Sequence, residues 1–300
     1  MRTISLHIVA LLLFILTSPA SAWEVLVVQN YQAKPYSEAL RGFKSVCNAR
    51  TSELLVSEMN GDTLAREIRR RTPDLILAVG MDALRKVRKI KEIPVVYCMV
   101  LDAESVLGDE KNITGVSMTI PPDKQLAALV KVLPNLKRVG LVYNPRKTGR
   151  IVERMRDAAE RRGIRLTALK TESARELPGR LAALPAGLDA YWMLPDSTFT
   201  TPEAVESIIL FSINNKVPIY TFSEKYLRMG AFMSLDLDTF DLGRQAGQMA
   251  EKVRTGTDIR EIPRSDAERG IPAVNRTVAG KLGIRLEGEF SRKHRAAGDE

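Results

Sequence analysis

From Trp23 onward one pattern repeats along the chain: a short apolar run rich in β-branched residues, a turn, then a stretch whose apolar residues recur every three to four positions. A chain written this way has few folds open to it. Strands that are apolar on both faces need helices on both sides, and helical crossovers between successive strands make the sheet parallel. The pattern predicts strands over 24–29, 53–58, 74–80, 93–100 and 113–120. A second cycle predicts strands over 138–143, 165–169, 189–194, 217–222 and 231–235. Between them lie amphipathic helices: Ala39, Leu40, Phe43, Val46 and Cys47 share one face, as do Ile151, Met155 and Ala159, and later Leu242, Ala246, Met249 and Val253.

The pair Pro121-Pro122 interrupts the series, with about half the strands on each side. Two α/β lobes suit that break. A single eight-stranded barrel suits the same length and the same alternation, and the pattern alone does not separate the two.

The first residues read as an address. Arg2 precedes an apolar run over 4–16, and Pro19 and Ala20-Ser21-Ala22 follow, the order of cation, apolar core and small-residue cleavage site that export requires. Cleavage is expected between Ala22 and Trp23. An uncleaved anchor is the alternative, although the run is short for a bilayer span. The expectation is a soluble protein outside the cytoplasm.

Charge and residue types then exclude whole classes of chemistry. The formal net charge is +9, but the basic clusters (Arg69-Arg70-Arg71, Arg161-Arg162 and Arg292-Lys293-His294-Arg295) are short and read as solvated helix faces and a tail. They lack the interleaved aromatics of a single-strand binding surface, and with export this argues against nucleic acid. The two histidines, His7 and His294, lie at the extreme ends, so the folded body has no imidazole for a triad or a common metal centre. No cofactor or metal is expected. Cys47 and Cys98 read as separate buried thiols, with a bond between them as the alternative in an oxidising compartment.

In open parallel sheets, ligands collect at the carboxyl ends of strands. The residues there include Gln29-Asn30-Tyr31, Gly80-Met81-Asp82, Asp102, Tyr143-Asn144-Pro145, Asp196-Ser197-Thr198, Ser223-Glu224 and Asp236. Rings, amides, hydroxyls and carboxylates without a nucleophile suit holding a small polar molecule better than transforming one. Each residue has a plainer reading too. Asp196 and Asp236 are either ligand carboxylates or helix caps, Glu224 and Asp102 either cleft or solvent groups, and Tyr36 either a ring wall or core. Asn144, Arg146 and Thr148 form a turn entering a helix, whose amides, hydroxyl and guanidinium suit a carboxylate or phosphate. That turn lacks the glycine spacing of a P-loop, and Leu141 occupies the place of a dinucleotide fingerprint's second glycine.

Six segments in a fixed order carry a resemblance: Pro73-Asp74-Leu75-Ile76-Leu77-Ala78, Ile93-Pro94-Val95-Val96, Asn112-Ile113-Thr114-Gly115-Val116-Ser117, Val139-Gly140-Leu141-Val142-Tyr143-Asn144-Pro145, Val217-Pro218-Ile219-Tyr220 and Leu242-Gly243-Arg244-Gln245-Ala246-Gly247. Val274-Asn275 and Ala279-Gly280-Lys281-Leu282-Gly283-Ile284 close it. Over about 25–284 the chain resembles the tryptophan/tyrosine-type ABC transporter substrate-binding proteins, class I periplasmic binding proteins. The resemblance implies two Rossmann-like lobes with parallel central sheets joined by hinge segments, and a ligand between them. Lobe one is expected over 23–119 plus 236–262, lobe two over 120–235 plus 263–286, and a polar tail over 287–300. It implies a non-enzymatic monomer with a membrane permease and an ATPase as partners. Its expected ligand set is Tyr36, Met81, Asp102, Asn144, Arg146, Thr148, Asp196, Ser197, Ser223, Glu224 and Asp236. Asp102 keeps the acid of the family's Thr-Asp-Pro, and Ser223-Glu224 stands where the family has Ser-Asp-Glu. The Arg146-Lys147-Thr148-Gly149 loop departs from the family and favours an anionic ligand group if Arg146 turns inward. A sensory binding protein and an exported two-carboxylate hydrolase are the alternatives.

Overall fold

The computed structural model describes residues 23–57, 59, 61–287 and 290, so the expected signal segment and most of the polar tail lie outside the described residues. The first elements are β1 (Glu24–Gln29), α1 (Lys34–Lys44), β2 (Arg50–Leu55), α2 (Gly61–Arg71), β3 (Leu75–Val79), α3 (Met81–Val87), β4 (Val95–Val100) and β5 (Ile113–Ser117). Next come α4 (Pro122–Val132), β6 (Arg138–Tyr143), α5 (Pro145–Arg161), β7 (Arg165–Lys170), α6 (Leu177–Ala182), β8 (Ala190–Trp192), α7 (Pro202–Asn215), β9 (Ile219–Thr221) and β10 (Met233–Leu237). The chain ends in α8 (Thr239–Arg254), β11 (Ser265–Asp266), β12 (Gly270–Val274) and α9 (Arg276–Lys281).

These elements make two open six-stranded sheets, which removes the barrel alternative. One compact unit takes the described residues through Ser117 plus Leu242–Ser265; the other takes Met118–Asp241 and the residues from Asp266 on. In unit 1 the strand order is β11-β5-β4-β3-β1-β2, and in unit 2 it is β12-β10-β9-β8-β6-β7. The pairs β1/β2, β1/β3, β3/β4 and β4/β5 are parallel, as are β6/β7, β6/β8, β8/β9 and β9/β10. This is the two-lobed α/β architecture of type I periplasmic binding proteins, each lobe with a parallel central sheet.

The sequence explains the layering. All of β3 and β4 (Leu75–Val79 and Val95–Val100) is buried on both faces, as a sheet covered on both sides requires. Each fully buried Val or Leu contributes roughly 1.5–3 kcal/mol by leaving water. The edge strand β2 is mostly exposed or half-buried, and its polar run Arg50-Thr51-Ser52-Glu53 places it three residues earlier than expected. The strand expected over 113–120 stops at Ser117, before the proline pair. The edge strand β12 was not anticipated. It pairs antiparallel with β10, and its Pro272 lies opposite Leu235, an edge position where a missing N–H is tolerated.

In unit 1, α8 lies backbone to backbone against α1. A side chain at Gly243 would overlap the Ala39 carbonyl, and one at Gly247 would meet the Phe43 carbonyl 2.6 Å away. Both glycines are there for close approach.

Candidate functional site

Strand order reverses in each sheet at one place: between β1 and β3 in unit 1, and between β6 and β8 in unit 2. At such a switch point neighbouring strand-end loops diverge and leave a crevice, which is where open α/β sheets bind ligands.

In unit 2 the loops at that point are bound tightly together. Asn144 ends β6 and caps α5, its side chain accepting from the Arg146 N–H at 3.0 Å, and Pro145 follows at the first helical position. Asp196, 1% exposed, accepts the Asn144 N–H at 2.8 Å and the Thr148 hydroxyl at 2.7 Å on Oδ2, and the Thr198 N–H at 3.0 Å on Oδ1. Asn144 Nδ2 in turn donates to Thr198 Oγ1 at 2.9 Å. The expected trio Asn144, Thr148 and Asp196 therefore meets in one place, with Thr198, named in the same strand-end loop but not in the expected ligand set, as a fourth member. Its signal was position alone: a hydroxyl two residues after a strand-end acid. In this arrangement the Asp196 carboxylate braces two loops rather than capping a helix, the caps being Asn144 and Thr201. Ser197 beside it is exposed. Arg146 is also exposed, 77% by side chain, and pairs with Glu172 at 3.0 Å.

A second acid stands differently. Asp236, near the end of β10, accepts the Glu224 N–H on Oδ2 at 2.9 Å, which fixes the turn that Ser223 opens. Its Oδ1 is buried and has no hydrogen-bond partner among the described residues. A buried carboxylate oxygen without a donor costs free energy that a ligand N–H would recover. The Glu224 side chain is exposed and Ser223 half-buried.

In unit 1 the switch point is aromatic. Tyr36, in the first turn of α1, stacks on Tyr31 with ring centroids 5.2 Å apart and planes 20° from parallel. A side chain at Gly80 (φ +93°) would overlap the Tyr36 hydroxyl, so Gly80 leaves the space that ring occupies. Burial pushes the Tyr36 hydroxyl's pKa up, with Tyr31 and the Asp82 charge adding to it. Asn30 Nδ2 donates to Asp82 Oδ2 at 3.3 Å. Met81 begins α3 and is partly buried against the core of unit 1. Asp102 caps the turn Ala103–Ser105, accepting the Ser105 N–H at 3.2 Å. It follows a bulge in β4 where Met99 adopts φ +58° and the register with β5 shifts between Tyr97 and Val100. Tyr31 and Asp82 lay in the strand-end loops already identified but not in the expected ligand set.

Cys47 and Cys98 are free and buried, and burial pushes their thiols up, to about 11 and about 12. Among the described residues no group of three or more His, Cys, Asp or Glu side chains is placed to hold a metal ion, and no helix is long and apolar enough to cross a membrane.

Comparison with known proteins gives these arrangements a context. A family model described as ABC transporter substrate binding protein matches residues 49–296. The chain is similar to a tyrosine-binding protein of Clostridioides difficile (strain R20291), 25% identical over 199 residues, which is 63% of this chain and 57% of that protein. The chain thus spans little more than half the length of that curated relative. Among solved structures it is similar to a ligand-free, open substrate binding protein with adhesive properties from Clostridium difficile, at 18% identity and TM-score 0.73, covering 89% of this chain and 96% of that one. It is also similar to an ABC domain in complex with L-Trp from Streptococcus pneumonia, at 21% identity and TM-score 0.60, covering 90% and 98%. At these identities the solved structures bear on the fold alone.

Proposed function

We propose, from the premise that this chain belongs to the family of ABC transporter substrate binding proteins, that it captures a small polar molecule outside the cytoplasm and delivers it unchanged to an ABC importer. The ligand class we favour is an amino acid or a related compound. The permease and the ATPase are other chains, and the protein docks with them as a soluble monomer after its leader is removed. No bond is made or broken and no cofactor takes part.

The observation that carries this reading is the pair of switch-point corners, one in each unit, lined with rings, amides, hydroxyls and carboxylates but no nucleophile–base pair. We assign the ligand contacts to Tyr36, Met81 and Asp102 from unit 1 and to Ser197, Ser223, Glu224 and Asp236 from unit 2. Asp236 Oδ1 is the acceptor for a polar N–H or O–H of the ligand. Asn144, Thr148 and Asp196 shape the loop that presents these groups, and Arg146 serves a ligand's anionic group.

The test is mass spectrometry of small molecules released from protein purified without refolding, followed by thermal shift against an amino-acid panel. A stoichiometric, chemically intact solute that raises the melting temperature is the expected result. Turnover of that solute, abolished by Asp236→Asn, would instead favour the exported hydrolase. In cells, deletion is expected to abolish uptake of that solute; loss of a signalling response with uptake intact would favour a sensor.

A further inference from the structure

We infer that the outer face of Tyr31 is a cation–π platform that receives the ammonium or alkylammonium head of the captured molecule. This deepens the proposed function and rests on it. Tyr31 is 53% exposed, although it lies only two residues past the buried strand β1 at the switch point of unit 1. One face of its ring lies on Tyr36, so the solvent-accessible area belongs to the other face and the edges. Tyr36 in turn is seated over Gly80, where a side chain would displace it. The exposed ring is therefore backed by a supported one and presents a fixed surface.

Charge favours a cation over a neutral flat group. The face of a phenol ring is the negative pole of its quadrupole, and an ammonium within about 6 Å of the centroid is attracted to it. Asp82 adds a full negative charge at the same corner, bonded to Asn30, the residue preceding Tyr31. Its pairing with Arg85 at 3.5 Å is between side chains 54% and 58% exposed, a screened contact that leaves the carboxylate available to a second cation.

The experiment uses the full mature chain and two probes of equal shape: choline, and its uncharged carbon analogue 3,3-dimethylbutan-1-ol. Proton NMR titration reads the affinity and the ring-current shift of the methyl signal. Choline is expected to bind at least about fivefold more tightly than the alcohol, with an upfield shift. Tyr31→Phe, which keeps the ring, is expected to hold choline within about twofold, and Tyr31→Leu to lose about five- to tenfold while leaving the alcohol unchanged. Because the ring is half exposed, Tyr31→Leu should unfold at the wild-type temperature. Equal affinities for the two probes, no binding of either, or indifference of choline to Tyr31→Leu overturns the platform. The capture reading fails separately, if native protein releases no solute and no panel compound shifts its melting temperature. A released solute that Tyr31→Leu still retains overturns only the platform.

Discussion

The two switch-point corners have the same topology and opposite construction. In unit 2 a buried acid takes three hydrogen bonds from both neighbouring loops, and Asn144 adds a fourth to Thr198. Bonds to a charged, buried acceptor are worth about 1.5–3 kcal/mol each. In unit 1 the corresponding loops are joined by one long bond between Asn30 and Asp82, and the ring that dominates the corner is half exposed. An exposed contact of that kind contributes about 0–1 kcal/mol. The difference teaches that a shared fold fixes where loops diverge, while side-chain chemistry decides whether a corner is rigid before a ligand arrives. A preorganised corner loses less entropy on binding, and the unit 1 corner relies for this on ring stacking rather than on hydrogen bonds.

Removing the buried acid is the strongest way to break the contrast. Asp196→Ala leaves the Asn144 N–H, the Thr148 hydroxyl and the Thr198 N–H without their acceptor, and we expect unit 2 to lose about 4 kcal/mol. Asp82→Ala, the matching change in unit 1, should cost less than about 0.5 kcal/mol. Urea unfolding of both variants measures this, and equal losses would erase the distinction between the corners.

Gly243→Ala comes next. It tests whether α1, which carries Tyr36, depends on its close contact with α8. The added methyl overlaps the Ala39 carbonyl, and the helices must separate. We expect a loss of about 2–3 kcal/mol, the cost of overpacking a tight contact. A change below about 0.5 kcal/mol would mean that α1 shifts freely and that the Tyr36 support is soft.

Alkaline pH acts on the two units at different points. Cys98 in unit 1 has its thiol pushed up by burial from the ordinary 9.0 to about 12. The folded value lies above the unfolded one, so the thiol's contribution is intact below pH 9. It is lost as pH rises toward 12, because the unfolded chain ionises first. The slope from this one group is at most about 1.4 kcal/mol per pH unit. Unit 2 has no cysteine; its buried Tyr191 and Tyr220, also pushed up by burial, begin to act only above pH 10. Urea unfolding between pH 8 and 11 should show the loss beginning near pH 9, and Cys98→Val should shrink that first part to the share of Cys47, whose thiol burial also raises, to about 11. An unchanged profile in Cys98→Val would remove the thiol from the account.

The parts legible in the sequence are those whose cause is local. Continuous burial in β3 and β4 is written in Leu75-Ile76-Leu77-Ala78-Val79 and Val95-Val96-Tyr97-Cys98-Met99-Val100, and the α5 start in Asn144-Pro145. The polar edge strand β2 and the proline-bearing β12 were misplaced or missed because an edge strand is held by one neighbour and needs little hydrophobic pattern of its own. The candidate residues were found by position at strand ends, but their roles were not. The Thr198 N–H that Asp196 Oδ1 accepts is local, but nothing local says that its Oδ2 takes Asn144 and Thr148 or that Asp236 takes Glu224, since those partners lie 12 to 52 residues away.

The smallest expected effect sharpens the comparison at its most exposed point. Arg146 sits in the first turn of α5, two residues from Asn144 and the rigid corner, yet its side chain is 77% exposed and pairs with Glu172, itself 50% exposed. An exposed pair of this kind contributes about 0–1 kcal/mol, so Arg146→Ala should change stability by less than about 0.5 kcal/mol. Binding is a separate matter, because a guanidinium free to swing can leave a screened carboxylate for a better partner. If Arg146 serves the ligand's anionic group, Arg146→Ala weakens only panel members that carry such a group, by about threefold to tenfold, and leaves neutral amines untouched. Calorimetric titration of matched amino acids and their amides separates the two cases. Uniform weakening of all ligands would instead mean that the substitution disturbs the Asn144 cap, and the rigid corner would then extend to the helix surface.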